Sequence, residues 1–258
     1  MPKLLIIIGL LGALSCAARL DIMNHEFAFE EKRETRTTTE SRVLFWTTQT
    51  RNAETTQLAA ALHLVEIPSL SAAGRDLLRD TVYAGRSVAD YAKMRFAEFT
   101  AEVSASAAAS PAGYSYDEKT EAYLATPQFV IIRKLQWSYT GGAHGNYREV
   151  IFVLDIEAGK RLELEDVLRP EAASSLTSRL SAILRQKYNM QAEDNFFADI
   201  WPPTGFVFTD KGLEFRWDLY AIGPYVWGIP AAALPYEEIR PLLSAKGLEV
   251  LRALPDRK

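Results

Sequence analysis

Residues 129–156 read FVIIRKLQWSYTGGAHGNYREVIFVLDI. Before the glycines, Phe129, Ile131, Leu135, Trp137 and Tyr139 recur at every second position among mostly polar neighbours. After them, Val150, Phe152, Leu154 and Ile156 keep the same period. A period of two is the signature of a strand with one face buried. The stretch therefore predicts a β-hairpin whose connection holds three glycines, one histidine and one asparagine. Glycine admits positive φ and close approach of another group to the backbone. Two readings follow: the loop contacts a ligand or partner, or it is a structural turn whose histidine caps a backbone group.

Working outward, the pattern from Ala122 to Leu164 is β throughout, with a turn at Glu157-Ala158-Gly159-Lys160. Upstream, residues 71–105 read as helix, with Val88, Ala92, Phe96, Phe99 and Val103 on one face. Gly74 and Gly85 weaken its first half, so two helical pieces are an alternative. Strand-like runs are expected at Val43–Thr47 and Leu62–Ile67. The Ala/Ser-rich residues 104–117 form a loop and the best internal boundary.

Downstream, Pro170 opens a second helix whose stripe is Leu176, Leu180, Ile183, Leu184 and Tyr188. A hairpin is expected from Phe206–Phe208 and Leu213–Trp217, with Gly212 where the turn needs positive φ. A short terminal helix covers Glu237–Leu243. Strands and helices are segregated, which predicts an α+β fold: an antiparallel β-sheet with two main helices packed on it.

The N-terminus sets the expected location. Lys3, the apolar run Leu4 to Leu14, and Ser15-Cys16 form a secretory signal, with Cys16 the sole cysteine of the chain. The run is short for a bilayer span. The segment resembles a bacterial lipoprotein signal, which implies cleavage after residue 15 and lipid on Cys16. The expected organisation is a signal peptide at 1–15, a polar tether at 16–41, an N-terminal β/helix module at 42–110 and a C-terminal α+β domain at 111–258. Module and domain pack as one unit. Hydrophobic content of 48% and charge of 24% fit a globular chain. A net charge of −4 without basic blocks argues against nucleic acid as partner.

The chemical inventory is thin. His25, His63 and His144 share no helical face, and there is no His-Glu-x-x-His motif or Cys/His cluster, so no metal and no cofactor are expected. A catalytic reading would use His144 as general base oriented by Asp218. The second notable tract is Arg216-Trp217-Asp218-Leu219-Tyr220-Ala221-Ile222-Gly223-Pro224-Tyr225-Val226-Trp227-Gly228-Ile229-Pro230. Aromatic faces beside glycine-rich backbone suit a sugar or a protein partner, or they close one end of the core.

A set of ordered motifs carries a family resemblance. Tyr139-x-Gly141-Gly142-Ala143-His144 is followed by Asp155-x-x-x-Gly159-Lys160-x-Leu162-x-Leu164-x-Asp166-Val167-Leu168. Then come Trp217-Asp218-Leu219-Tyr220-Ala221-Ile222-Gly223-Pro224-Tyr225-x-x-Gly228 and Leu234-Pro235-Tyr236-Glu237-Glu238-Ile239. Together, over roughly residues 58–244, they resemble the extracytoplasmic domain shared by RsiV-type anti-sigma factors and the N-terminal region of PdaC-type polysaccharide deacetylases. The resemblance implies an α+β envelope module. One branch of that family binds lysozyme as a sensor, and another accompanies a deacetylase domain. Neither a sigma-binding segment nor deacetylase metal motifs are read here, so neither activity is expected. No catalytic residues carry over.

The expected function is thus a lipid-anchored, non-catalytic binding protein of the cell envelope, facing periplasm or exterior. Its partner would be cell-wall glycan or an envelope or host protein such as lysozyme. The alternatives are a hydrolase using the His144 loop and a structural component. Candidate binding residues are Tyr139, Gly141, Gly142, His144, Asn146, Asp218, Tyr220, Tyr225 and Trp227. The 139–146 loop is expected beside the 218–228 tract.

Overall fold

A computed structural model describes residues 5–7, 22–35, 54–105, 113–191 and 200–254. In chain order, strands β1 (Leu5–Ile7), β2 (Met23–Thr35) and β3 (Glu54–Glu66) lead into helices α1 (Ala72–Val82) and α2 (Val88–Ala105). Strands β4 (Tyr114–Ala125), β5 (Phe129–Tyr139), β6 (Asn146–Asp155) and β7 (Lys160–Leu162) follow, then helices α3 (Leu164–Val167) and α4 (Ala172–Tyr188). A small sheet uses β8 (Gly205–Phe208), β9 (Gly212–Arg216) and β10 (Ala231–Pro235). Helices α5 (Tyr236–Ile239) and α6 (Ala245–Ala253) come last. The expected α+β class holds.

The main sheet runs β1 to β7 in sequence order. Every neighbour pair is antiparallel except β3 and β4, which are parallel. The sheet is thus antiparallel as expected, except at this one pair. The cause is topological: α1 and α2 fill the connection and return the chain to the end where β3 began. The 71–105 helix is in two pieces, broken where Ala84 and Gly85 take φ of 51° and 75°.

The period of two in β5 and β6 is resolved by two cores, one on each face. Val130, Ile132, Phe152 and Leu154 pack with Leu62, Leu64, Ala92, Phe99 and Val103 beneath α1 and α2. Phe129, Ile131, Ile151 and Val153 pack on the other face with Leu176, Leu180, Leu184, Phe215 and Trp217, under α4 and the small sheet. The two main helices therefore cover opposite faces. Each fully buried side chain of this kind contributes about 1.5–3 kcal/mol.

Three further expectations change. Residues placed in the tether form β2, paired with β3 from Met23↔Glu66 to Thr35↔Glu54. Phe27 and Phe29 point into the helix-side core, and the charged run Glu30 to Glu34 that follows them masks that alternation in the sequence. The Glu237–Leu243 helix is instead α5 followed by a 3-10 turn, Arg240–Leu242, and the chain continues into α6. Gly212 does not adopt positive φ. It is needed because a Cβ there would lie 2.0 Å from the Leu234 carbonyl oxygen of β10. The expected 206–217 hairpin itself forms as β8 and β9. Cys16 and the run Val43–Thr47 lie outside the described residues, and of the expected signal peptide only β1 lies within them.

Candidate aromatic binding site

Six residues connect β5 to β6, and Gly141 and Gly142 in that connection take φ of 97° and 94°. Only glycine adopts such angles without steric cost. The Tyr139 hydroxyl donates to the Gly142 carbonyl at 3.1 Å, fixing the turn from its strand side. The Trp137 indole lies directly over Gly145, so near that a Cβ on Gly145 would stand 2.6 Å from the indole nitrogen. Trp137 and Tyr147 are paired across the two strands. The loop is therefore held by aromatic rings at its base, with glycine where they press closest.

The chain reaches this loop a second time after β9. His144 stacks on Tyr225 with ring centroids 3.9 Å apart and planes inclined by 24°. The Tyr225 hydroxyl donates to the Gly145 carbonyl at 2.8 Å. His144 Nδ1 lies 2.9 Å from the same carbonyl oxygen, to which it donates, and in the neutral ring Nε2 is then the acceptor. The Tyr220 hydroxyl sits 3.4 Å from that Nε2. Tyr147 and Tyr220 flank the Tyr225 ring at 6.4 and 5.9 Å. The Tyr225 hydroxyl is held above its ordinary pKa by desolvation and then by the neighbouring Tyr147 and Tyr220.

The cluster faces solvent. Tyr220 is 56% exposed, Tyr147 40% and Val226 83%. Tyr220 also holds φ of 68°, a region that costs a non-glycine residue about 1–3 kcal/mol. Beside the cluster, an open groove of about 480 Å³ runs over the uncovered part of the main sheet. Ala28, Ala59 and Ala61 floor it, Ser115 and Asp117 supply polar groups, and Trp137 forms a wall.

The structure brings Tyr139, Gly141, Gly142, His144, Tyr220 and Tyr225 together, and Asn146 begins β6 at the same loop. Two candidates stand apart. Asp218 is exposed and its backbone carbonyl accepts from Ala221, while the His144 ring is met by Tyr220 and Tyr225. The proposed His144–Asp218 dyad does not form. Trp227 turns inward, stacking on Tyr188 of α4 at 4.3 Å and covering Gly223. Among the described residues no group of three His, Cys, Asp or Glu side chains could hold a metal ion.

Sequence reasoning missed a buried polar network under the helices. Glu118 is fully buried and Lys134 is 5% exposed. Glu118 Oε2 accepts from Tyr116 at 2.5 Å and Gln136 at 2.8 Å, and its Oε1 faces Lys134 Nζ at 3.4 Å. Lys134 also donates to the Val82 carbonyl and the Tyr91 hydroxyl, tying β5 to both helices. Burial pushes the Glu118 carboxyl up, but Lys134, Gln136, Tyr116 and Arg95 together hold it below its ordinary value. Burial outweighs the Glu118 charge at Lys134, whose pKa is lowered. The sequence signal was present, in the polar positions Lys134 and Gln136 that share a face with Val130 and Ile132.

Comparisons with known proteins agree with this architecture. Residues 165–237 match the family described as "Protein of unknown function (DUF3298)". That span contains α4, the small sheet, Tyr220 and Tyr225, whereas His144 precedes it. The chain is similar in fold to a DUF3298 family member from Bacteroides fragilis, with a TM-score of 0.63 and 18% identity over 88% of this chain and 97% of that one. It is also similar to a DUF3298 family protein from Pseudomonas aeruginosa, with a TM-score of 0.55 and 18% identity over 86% of this chain and 94% of the other. No curated protein matches the sequence.

Proposed function

We propose that this chain is a non-catalytic binding protein of the cell envelope, held at a membrane by lipid on Cys16, whose aromatic cluster takes up a cell-wall glycan. One observation carries the reading: the Tyr220, Tyr225 and His144 rings gather at a solvent-facing loop that opens onto the groove walled by Trp137. Flat rings offer apolar faces to the C–H faces of sugars, and the carboxylate and hydroxyl groups of the groove suit sugar hydroxyls.

The strained Tyr220 backbone supports a functional role, since such strain persists where the surroundings impose it. The motif resemblance to RsiV-type and PdaC-type envelope modules supports the location. Cleavage before Cys16 removes β1 and leaves β2 as the edge of the main sheet. The nitrogens of His144 face the Gly145 carbonyl and the long Tyr220 hydroxyl contact, and no carboxylate orients the ring among the described residues, which favours binding over hydrolysis.

The test is cosedimentation of the protein with purified cell-wall sacculi, competed by soluble glycan fragments. Competed cosedimentation is expected. A protein that stays in the supernatant at all ionic strengths would reject the reading.

A further inference from the structure

The opposite end of the sheet carries a second surface. Because β4 runs parallel to β3 and antiparallel to β5, the His144 loop lies at the Leu58 end of β3. Met23 lies at the other end, paired with Glu66. Eight residues of β3 separate these ends, roughly 26 Å at strand rise. At the Met23 end an open cavity of about 400 Å³ is lined by Met23, Arg75, Arg79 and Arg86, with Glu66 and Asp76.

Arg75 and Arg79 sit one turn apart on α1, and Arg86 follows in the turn before α2. Arg79 is paired with Asp76 and Asp80. The guanidinium of Arg75 donates to the Pro68 and Leu70 carbonyls, and that of Arg86 to the Ala84 carbonyl. Neither Arg75 nor Arg86 has a carboxylate partner among the described residues, so their charges are not neutralised. Glu66 is engaged by His25. Beside these cations, Ile22 and Met23 leave apolar side chains 39% and 43% exposed. Exposed apolar tips next to guanidinium groups are the pattern of a surface that sits in a lipid headgroup layer.

We propose that this end is a membrane-docking face, on which Arg75 and Arg86 contact the phosphates of anionic lipid headgroups while Ile22 and Met23 enter the interface. The proposal rests on lipid attachment at Cys16. Seven residues lead from Cys16 to Met23, a reach of at most about 25 Å. The anchor therefore keeps this end at the bilayer, where a negative surface potential attracts basic side chains. Docking would hold the sheet upright and present the aromatic cluster away from the membrane.

The experiment reconstitutes the full chain through its N-terminus into vesicles of phosphatidylcholine alone or mixed with phosphatidylglycerol. Hydrogen exchange is then read at residues 72–88. Flotation with the vesicles reports anchoring separately, so a chain that fails to float refutes the anchor and this docking model with it. For a floating chain, the expected result is stronger protection on phosphatidylglycerol vesicles, reversed by high salt. The docked-to-undocked ratio should fall about five-fold in Arg86→Gln and recover in Arg86→Lys. Equal protection on both vesicles would overturn the proposal. So would protection on neutral vesicles by inorganic phosphate alone, which would make the cavity a free-anion site.

Discussion

The imidazole of His144 lies flat against the phenol ring of Tyr225, at a centroid separation of 3.9 Å. This stack joins the hairpin loop of the main sheet to the segment that links β9 to β10 in the small sheet. The two elements meet because Tyr225 also donates to the Gly145 carbonyl, and Gly145 lies beneath Trp137. Ring stacking and one backbone hydrogen bond thus fix the loop without burying it, and Tyr220 remains on its outer side.

Tyr220 should oppose stability while serving binding. Its φ of 68° suits glycine, and its hydroxyl contact to His144 is long at 3.4 Å. Tyr220→Gly is expected to leave stability unchanged or raise it by up to about 1 kcal/mol, while weakening ligand binding. Thermal denaturation and glycan binding measured on the same samples check both halves.

Gly145→Ala should disturb the site directly. The added methyl would meet the Trp137 indole at under 3 Å, so the ring or the loop must move. The expected cost is about 1–3 kcal/mol, with a changed Trp137 environment visible in near-UV circular dichroism. Gly142→Ala offers a contrast, because nothing lies within 4 Å of its added Cβ and the penalty comes from φ alone.

The Glu118–Lys134 pair should be costly to break and cheap to replace. Lys134→Ala removes the buried cation and leaves Glu118 with only the half-buried Arg95 at 3.6 Å, so it is expected to cost about 3 kcal/mol. Glu118→Gln combined with Lys134→Met should recover most of that loss. The pH dependence has a definite sign. Glu118 has a folded pKa below its ordinary 4.5, so its contribution is full above that value. It is lost as pH falls through the folded pKa. Urea denaturation of wild type and Glu118→Gln at falling pH should therefore converge in the acid range.

Phe99→Ala and Leu180→Ala probe the two cores separately. Both side chains are buried, on opposite faces of the same strands. Each truncation is expected to cost about 2–5 kcal/mol, in one cooperative transition, because β5 and β6 belong to both cores. Two separated melting transitions would contradict that shared packing.

The local elements were legible wherever one physical signal dominated. The period of two in 129–156 gave the central hairpin, and the stripes through Phe99 and Leu180 gave α2 and α4. Two features were not legible because they depend on contacts distant in sequence. The parallel pairing of β3 and β4 follows from how α1 and α2 return the chain, which no local pattern records. Strand β2 reads as tether in the sequence because the charged run Glu30 to Glu34 outweighs the two phenylalanines before it. At the site, glycine and aromatic content pointed to the right two tracts. Their meeting puts Tyr220 on His144 in place of Asp218, and turns Trp227 into the core, because Tyr188 offers it a partner on α4.

The central claim, that the exposed rings bind a glycan without chemistry, is tested most directly by isothermal titration of soluble cell-wall glycan fragments into wild type, His144→Ala and Tyr220→Ala, each with its melting temperature. The account predicts binding by wild type, about ten-fold weaker binding for each variant, melting temperatures close to wild type for Tyr220→Ala, and no turnover of the fragments. Unchanged affinity in both variants would contradict it, as would fragment cleavage that disappears with His144→Ala.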